Sequence, residues 1–267
     1  CGNFGILRAV KKALVGLNLK PHQVLFVSGI GQAGKLPHYL KCNHLNELHG
    51  RTLPAAAAAK IANPELTVIA IGGDGDGYGE GGNHFLAAMQ RNVNITYLVH
   101  NNGVYGLTKG QTSPTSNKGF VTKTTPSGAL DPLNPLALAI AMNAGFVARS
   151  YSADTEHLVK MITMAVQYKG FALVDIFQPC VTYNHVNTYQ FYQKHLYKLD
   201  DDSTYNPSDR MAAFQKSLEW GDRIPIGLFY RVERPVFDEN LKAASEGPLV
   251  KQKLDPMRFQ QLVDGYA

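Results

Sequence analysis

Hydrophobic residues are distributed along the chain in two patterns, helical stripes and short continuous runs. Leu7, Val10, Leu14 and Leu17 recur at intervals of three or four residues, which predicts an amphipathic helix over 3–17. Short apolar runs rich in β-branched residues predict buried strands instead, at 24–28, 67–71, 95–99, 146–151 and 171–177. Helices are predicted between these strands, at 53–61, 82–90, 135–143 and 155–168.

The alternation of strands and helices is typical of an α/β fold with a doubly wound, mostly parallel sheet. We expect residues 1–186 to form this domain. From about residue 187 the pattern is broken by aromatic residues and by the acidic run at 200–202, so an irregular C-terminal arm or extension is predicted over 187–267.

Polar side chains follow two neighbouring strands where each strand ends. Asp74 and Asp76 come directly after the strand at 67–71, and Asn102 follows the strand at 95–99. The carboxyl ends of parallel strands joined through a helix meet at one edge of a sheet, so Asp74 and Asn102 are expected to face one ligand. Such oxygen ligands suit Mg²⁺, which often accompanies phosphate groups.

Charge and composition exclude several classes of protein. The net charge is +5, but the basic residues are scattered and form no stripe, which disfavours a nucleic-acid-binding protein. No apolar run reaches the roughly 18 residues of a membrane span, and there is no signal-peptide pattern, so a protein without membrane contact is expected. Three cysteines without a secretory signal favour thiols used as ligands or buried in the core.

The residues around Asp74 and Asn102 carry a specific resemblance. Gly73-Asp74-Gly75 followed by Asn102 resembles the two-part thiamine diphosphate motif. Gly-Asp-Gly by itself is most often a turn, but the segments 101–108 and Gln111-Thr-Ser-Pro-Thr115 also resemble the β subunits of 2-oxoacid:ferredoxin oxidoreductases. The similarity runs from Cys1 to roughly Pro235, and it implies that residues 1–186 form a thiamine diphosphate-binding fold.

The resemblance implies roles for individual residues. Asp74, the Asn102 side chain and the Val104 carbonyl would bind the Mg²⁺ of the diphosphate. The glycine-rich turn after the first strand and the two motif segments would line the cofactor, through Ile30, Gly31, Gln32, Ala33, Gly73, Gly75, Asp76, Gly106 and Leu107. His49 matches a family histidine that lies against the cofactor, although a histidine beside glycine is more often structural.

Three residues are candidates for catalytic contacts with the substrate, namely Lys35, His49 and Lys109. Many pyruvate enzymes of this family have glycine where Lys109 stands. A lysine there suits the second carboxylate of 2-oxoglutarate, which slightly favours this substrate over pyruvate. The alternative is an ordinary solvated lysine in a loop.

The family's four-iron four-sulfur cluster is held by four cysteines, and this chain departs from that pattern. Cys1 and Cys180 match two of them, the first cysteine of the pattern is expected upstream of Cys1, and the third position is Gln32. We hypothesise that Cys42, ten residues further on, replaces the third ligand, because the cluster takes four thiolates. Otherwise Cys42 is a core residue and the cluster is lost or has three ligands.

The resemblance implies one subunit of a hetero-oligomeric, cytoplasmic enzyme that oxidatively decarboxylates a 2-oxoacid to an acyl-coenzyme A. An α subunit would supply the glutamate that activates the aminopyrimidine, and ferredoxin would accept the electrons. The positive net charge suits docking to an acidic ferredoxin, or simply keeps the protein soluble. Two alternatives are a non-redox thiamine diphosphate-dependent decarboxylase subunit, favoured by Gln32, and a cofactor-free scaffold or nucleotide-binding module.

Overall fold

The computed structural model describes residues 1–241, 246–253 and 255–266, and within them a single large sheet carries the fold. The strands are β1 (Val24–Ser28), β2 (Asn43–Asn46), β3 (Thr67–Gly73), β4 (Thr96–Asn101), β5 (Val104–Tyr105), β6 (Gln111–Thr112), β7 (Phe146–Tyr151), β8 (Ala172–Phe177), β9 (Leu196–Lys198) and β10 (Ile224–Arg231). Among these residues, eight strands form the sheet in the order β2-β1-β3-β4-β8-β7-β10-β9, while β5 and β6 pair as a separate hairpin. Every pairing in the sheet is parallel except β10 with β7.

Helices cover both faces of the sheet, as the doubly wound prediction requires. The helices of the described residues are α1 (Asn3–Gly16), α2 (Thr52–Ala62), α3 (Gly82–Arg91), α4 (Pro135–Ala141), α5 (Thr155–Gln167), α6 (Tyr189–His195), α7 (Arg210–Ser217) and α8 (Pro256–Asp264), of which α8 buries no residue. One core lies under α2, α3 and α4, and the other lies under α1 and α5. The predicted α/β fold class is therefore confirmed.

The central strands are apolar on both sides because each face contacts a helical layer. In β3, Val68 and Ala70 belong to the core under α2, whereas Ile69 and Ile71 belong to the core under α1. A parallel strand covered on both faces has no polar side, and this explains its continuous apolar sequence.

The segment after residue 187 is more regular than the arm that was predicted. It contains α6, α7 and two strands, and β10 extends the main sheet by pairing antiparallel with β7. Ile224, Ile226 and Phe229 of β10 are buried, so this strand is part of the packed core. The division into 1–186 and 187–267 stays a prediction.

Two elements carry no apolar pattern. β2, with the sequence Asn-His-Leu-Asn, is exposed at all four positions and is held by parallel pairing with β1. A π-helix from Gly75 to Glu80 joins β3 to α3 where a loop was expected. In the described part of the chain, no helix has both the length and the apolar character that a membrane crossing requires.

Candidate cofactor-binding site

A cavity of about 500 Å³ opens at the carboxyl edge of the sheet, at the ends of β1, β3, β4 and β8. The sequence placed its candidate residues in separate segments of the chain, and the fold brings most of them to this one cavity. It is lined by Cys1, Ile30, Gly31, Gln32, Ala33, Lys35, His49, Gly73, Asp74, Gly75, Asp76, Asn102, Val104, Gly106, Leu107 and Cys180, among others. Lys109 and Cys42 are the two predicted residues that do not line it.

Asp74 is almost fully buried at the end of β3. Its Oδ2 accepts hydrogen bonds from the hydroxyls of Ser113 and of Thr115, the latter at 2.7 Å, and the Asn102 N–H lies 3.4 Å from its Oδ1. Burial raises the pKa of Asp74, and the hydroxyl donors oppose that rise. One carboxylate oxygen is thus occupied by hydroxyls, while Oδ1 keeps a free lone pair.

Asn102 follows β4 and has a defined side-chain orientation. Its Nδ2 donates to Gln178 Oε1 at 2.9 Å, and its Oδ1 accepts the Val104 N–H at 3.0 Å. Asn184 Nδ2 donates to the Asn102 backbone carbonyl at 2.9 Å. The amide oxygen also keeps a lone pair, because Oδ1 can accept two hydrogen bonds.

These oxygens suit a hard cation that is also coordinated by its own ligand. The described residues contain no group of three or more His, Cys, Asp or Glu side chains that would hold a metal ion alone. Mg²⁺ is commonly bound by one or two protein oxygens together with substrate phosphates. Asp74 and Asn102 therefore fit a magnesium diphosphate.

The π-helix after Asp74 brings the backbone close to two tyrosines. A Cβ on Gly75 would lie 2.2 Å from the Tyr105 ring, and a Cβ on Gly77 would lie 1.9 Å from the Tyr97 hydroxyl. Glycine is required at both positions, since no side chain fits. Gly75 lines the cavity without a side chain, so the backbone of this turn suits close contact with a diphosphate.

Asp76 joins three segments beneath the cavity. Its carboxylate accepts the N–H of Ile30 at 3.1 Å, the N–H of Gly50 at 2.9 Å and the Thr52 hydroxyl at 3.4 Å. Burial raises its pKa. Asp76 lines the cavity, but its oxygens bind donors of the protein, so it acts by holding these segments together.

The three candidate catalytic residues differ in position. His49 is partly exposed, lies 3.8 Å from Asp76 Oδ1 through its Nε2, and contacts Tyr105 edge to face. Lys35 is exposed at the cavity. Lys109 is exposed in a turn outside the cavity lining, with a left-handed backbone at φ +67°, which costs a residue with a side chain about 1 kcal/mol.

The cysteines do not form one group. Cys1 and Cys180 line the cavity beside Gln32, and Cys1 Sγ accepts a hydrogen bond from Gln178 Nε2 at 3.5 Å. Cys42 instead packs against the core under α1 and α5, and burial raises the pKa of its thiol. The structure does not support Cys42 as the replacement ligand. The thiols that the described residues place at the cavity do not make up the four that a four-iron cluster takes.

Several residues with clear roles were not assigned from the sequence. Ser113 and Thr115 orient Asp74, and they belong to the Gln111–Thr115 motif, which was noted without a function. Gln178 and Asn184 form hydrogen bonds with Asn102. Their position just after the buried strand at 171–177 was the only sequence signal for them.

Two family models match the chain. The C-terminal TPP-binding domain of thiamine pyrophosphate enzymes matches residues 25–176. The C-terminal part of the pyruvate ferredoxin oxidoreductase β subunit matches residues 180–246. The first match includes β1, β3, β4 and the Asp74 and Asn102 segments, so the cavity belongs to a thiamine pyrophosphate-binding domain.

Individual relatives agree with these matches. A 2-oxoacid:ferredoxin oxidoreductase subunit beta of Saccharolobus solfataricus is 49% identical over 87% of this chain and 80% of its own length. A 2-oxoglutarate synthase subunit KorB of Methanocaldococcus jannaschii is 36% identical over 90% of this chain and 89% of its own.

A solved structure extends the similarity to the fold. It is a 2-oxoglutarate:ferredoxin oxidoreductase from Magnetococcus marinus with 2-oxoglutarate, coenzyme A and succinyl-CoA bound. Its sequence is 35% identical, and it superposes with a TM-score of 0.90 over 98% of this chain and 90% of the solved chain. The chain therefore belongs to the β subunits of the 2-oxoacid:ferredoxin oxidoreductases.

Proposed function

We propose that this β subunit binds magnesium thiamine diphosphate and, with its partner subunit, oxidatively decarboxylates a 2-oxoacid to an acyl-coenzyme A, passing electrons to ferredoxin. The observation that carries the proposal is the oxygen pair of Asp74 and Asn102 at one sheet edge, beside the glycine turn after β3. The ligands bound to the Magnetococcus marinus enzyme support coenzyme A and a 2-oxoacid as substrates.

The residues present define how the cofactor would be held. Asp74, the Asn102 amide oxygen and the Val104 carbonyl would bind Mg²⁺, and the backbone of Gly75, Gly106 and Leu107 would line the diphosphate. When bound, thiamine diphosphate supplies the carbanion chemistry. The chain contributes binding and orientation, and Lys35 at the cavity attracts the substrate carboxylate.

The cavity explains the need for a partner. Its carboxylates within the described residues are Asp74 and Asp76, and both already accept hydrogen bonds from the protein. Neither is available to activate the aminopyrimidine of the cofactor, so this carboxylate is assigned to the α subunit. We therefore expect the β subunit alone to turn over no substrate.

A second candidate is a non-redox thiamine diphosphate-dependent decarboxylase subunit. The cysteine arrangement favours it, because Gln32 stands at the third cluster position and Cys42 packs against the core away from the cavity.

The test is an anaerobic assay of the chain co-expressed with its partner subunit. Acyl-coenzyme A formation and ferredoxin reduction that both depend on the 2-oxoacid would support the first candidate. Release of CO₂ without ferredoxin reduction would support the second. Absence of both, or full turnover by the β subunit alone, would contradict the proposal.

Lys109→Gly is expected to lower the preference for 2-oxoglutarate over pyruvate. Lys109 is exposed, and exposed ion pairs contribute up to about 1 kcal/mol, so the kcat/KM ratio should fall about fivefold or less. Glycine also removes the strain of the left-handed backbone, so the melting temperature should not fall. Lys123→Gly, at an exposed lysine of the same loop, is the matched control. An unchanged ratio would show that Lys109 is only a solvated residue.

A further inference from the structure

Gln178 lies between the Cys1 segment and Asn102, and its side chain is 2% exposed. We propose that Gln178 is a positioning residue that fixes the Asn102 amide with its nitrogen toward Gln178 and its oxygen toward Val104, where it is free to bind a cation. The inference rests on the proposed function, in which the Asn102 oxygen binds Mg²⁺.

The orientation of Gln178 follows from a neighbour that can only accept. Its Nε2 lies 3.0 Å from the Pro179 carbonyl oxygen and 3.5 Å from Cys1 Sγ. A carbonyl oxygen has no proton to donate, so the nitrogen of the amide must face Pro179. The acceptor Oε1 is thereby turned toward Asn102.

The orientation of Asn102 follows in the same way. Gln178 Oε1 only accepts, so Asn102 presents its Nδ2 to that oxygen at 2.9 Å. At the other end Val104 offers an N–H, which only donates, and Asn102 Oδ1 accepts it at 3.0 Å. The Pro179 carbonyl, which only accepts, and the Val104 N–H, which only donates, therefore determine the orientation of both side-chain amides. Rotating either amide by about 180° would place two donors or two acceptors against each other.

This arrangement decides what Asn102 presents to a cation. With Gln178 in place, Asn102 Nδ2 donates to Gln178 Oε1, and Oδ1 lies on the side of Val104, whose carbonyl is the other proposed Mg²⁺ ligand of this segment. Without the acceptor, Asn102 Nδ2 loses its hydrogen bond to a buried side chain, which favours other rotamers. Groups that orient metal ligands in this way typically change metal affinity 10–100-fold when they are removed.

The test uses the β subunit assembled with its partner. Thiamine diphosphate binding is measured by equilibrium dialysis at increasing Mg²⁺, without substrate, for wild type, Gln178→Met and Gln178→Glu. Gln178→Met keeps the side-chain length and loses the acceptor, so its half-saturating Mg²⁺ concentration should rise about tenfold or more. Gln178→Glu keeps an acceptor for Asn102, and its buried carboxyl, once protonated, donates to the Pro179 carbonyl as Nε2 does, so this variant should lie closer to wild type than to Gln178→Met.

Thr96→Val is the matched control, since it removes one buried hydrogen bond, from the Thr96 hydroxyl to the Ala165 carbonyl, far from Asn102. An unchanged Mg²⁺ requirement in Gln178→Met overturns the inference, as does a Gln178→Glu enzyme that needs as much Mg²⁺ as Gln178→Met. If Gln178→Met does not assemble, Gln178→Leu, which also lacks an acceptor for Asn102, takes its place in the comparison with Gln178→Glu. Failure of the wild-type enzyme to bind thiamine diphosphate with Mg²⁺ refutes the proposed function instead.

Discussion

Asp74→Asn is expected to weaken magnesium-dependent thiamine diphosphate binding by at least about 100-fold, since loss of a supporting residue alone costs 10–100-fold. The substitution removes the charge that would face Mg²⁺. The fold should persist, because the Ser113 and Thr115 hydroxyls that contact Asp74 Oδ2 can rotate and accept from the new amide. The measurement is a binding titration with thiamine diphosphate and Mg²⁺, together with the melting temperature of the cofactor-free protein.

Asp131→Asn is the matched control for this change. Asp131 is an exposed carboxylate that pairs with Lys118 on the surface, so its loss should leave binding unaltered. Wild-type cofactor affinity in Asp74→Asn would show that Asp74 does not bind the metal. A large drop in the melting temperature of the cofactor-free Asp74→Asn protein would mean that Asp74 is mainly structural.

Asp76→Ala is expected to destabilise the protein by about 3 kcal/mol or more. The change leaves the buried Gly50 N–H and Thr52 hydroxyl and the partly buried Ile30 N–H without their acceptor, and each buried unsatisfied group costs about 1–3 kcal/mol. Asp76→Asn should cost less, because its oxygen can still accept these N–H groups and the Thr52 hydroxyl can accept from its amide. Chemical denaturation of the cofactor-free chain measures both differences.

Asp209→Ala is a close control for the buried aspartate. The Asp209 carboxylate also accepts two backbone N–H groups, from Met211 and Ala212, but it caps α7 at the exposed surface. Water replaces the lost acceptor there, so the expected cost is about 1 kcal/mol. If Asp76→Ala and Asp209→Ala lower the free energy of unfolding equally, burial of Asp76 does not increase its contribution to stability.

The sequence predicts those elements of the fold that depend on apolar burial. Strands such as β3 and β8 were identified because both of their faces are covered, and α1 because one of its faces is. β2 was missed because it is held by backbone hydrogen bonds to β1, and such bonds produce no hydrophobic pattern by which a strand could be predicted. The π-helix was missed because glycine at 75, 77 and 79 is typical of a loop, whereas here glycine allows close packing on tyrosines.

The site was predictable where the chemistry belongs to single residues, and less so where it depends on packing. Asp74 and Asn102 follow predicted parallel strands, and parallel pairing of β3 with β4 brings them together. The role of Gln178 depends on which neighbouring groups donate and which accept hydrogen bonds, and the spacing of residues along the sequence does not show this. The position of Cys42 depends on which side of the chain packs against α1, and sequence distance from Gln32 is no guide to it.

The place of β8 in the sheet has a consequence for the synthesis of the protein. β8 lies between β4 and β7, and the cavity is lined both by Cys1 and by residues up to Tyr183. The hydrogen bond from Gln178 to Cys1 joins residues 177 positions apart. A nascent chain that has emerged only as far as residue 170 therefore has an open gap between two strands and only part of a binding site. Cofactor binding must wait until the segment up to Tyr183 has emerged, and until β8 pairs, the free edges of β4 and β7 are exposed to aggregation.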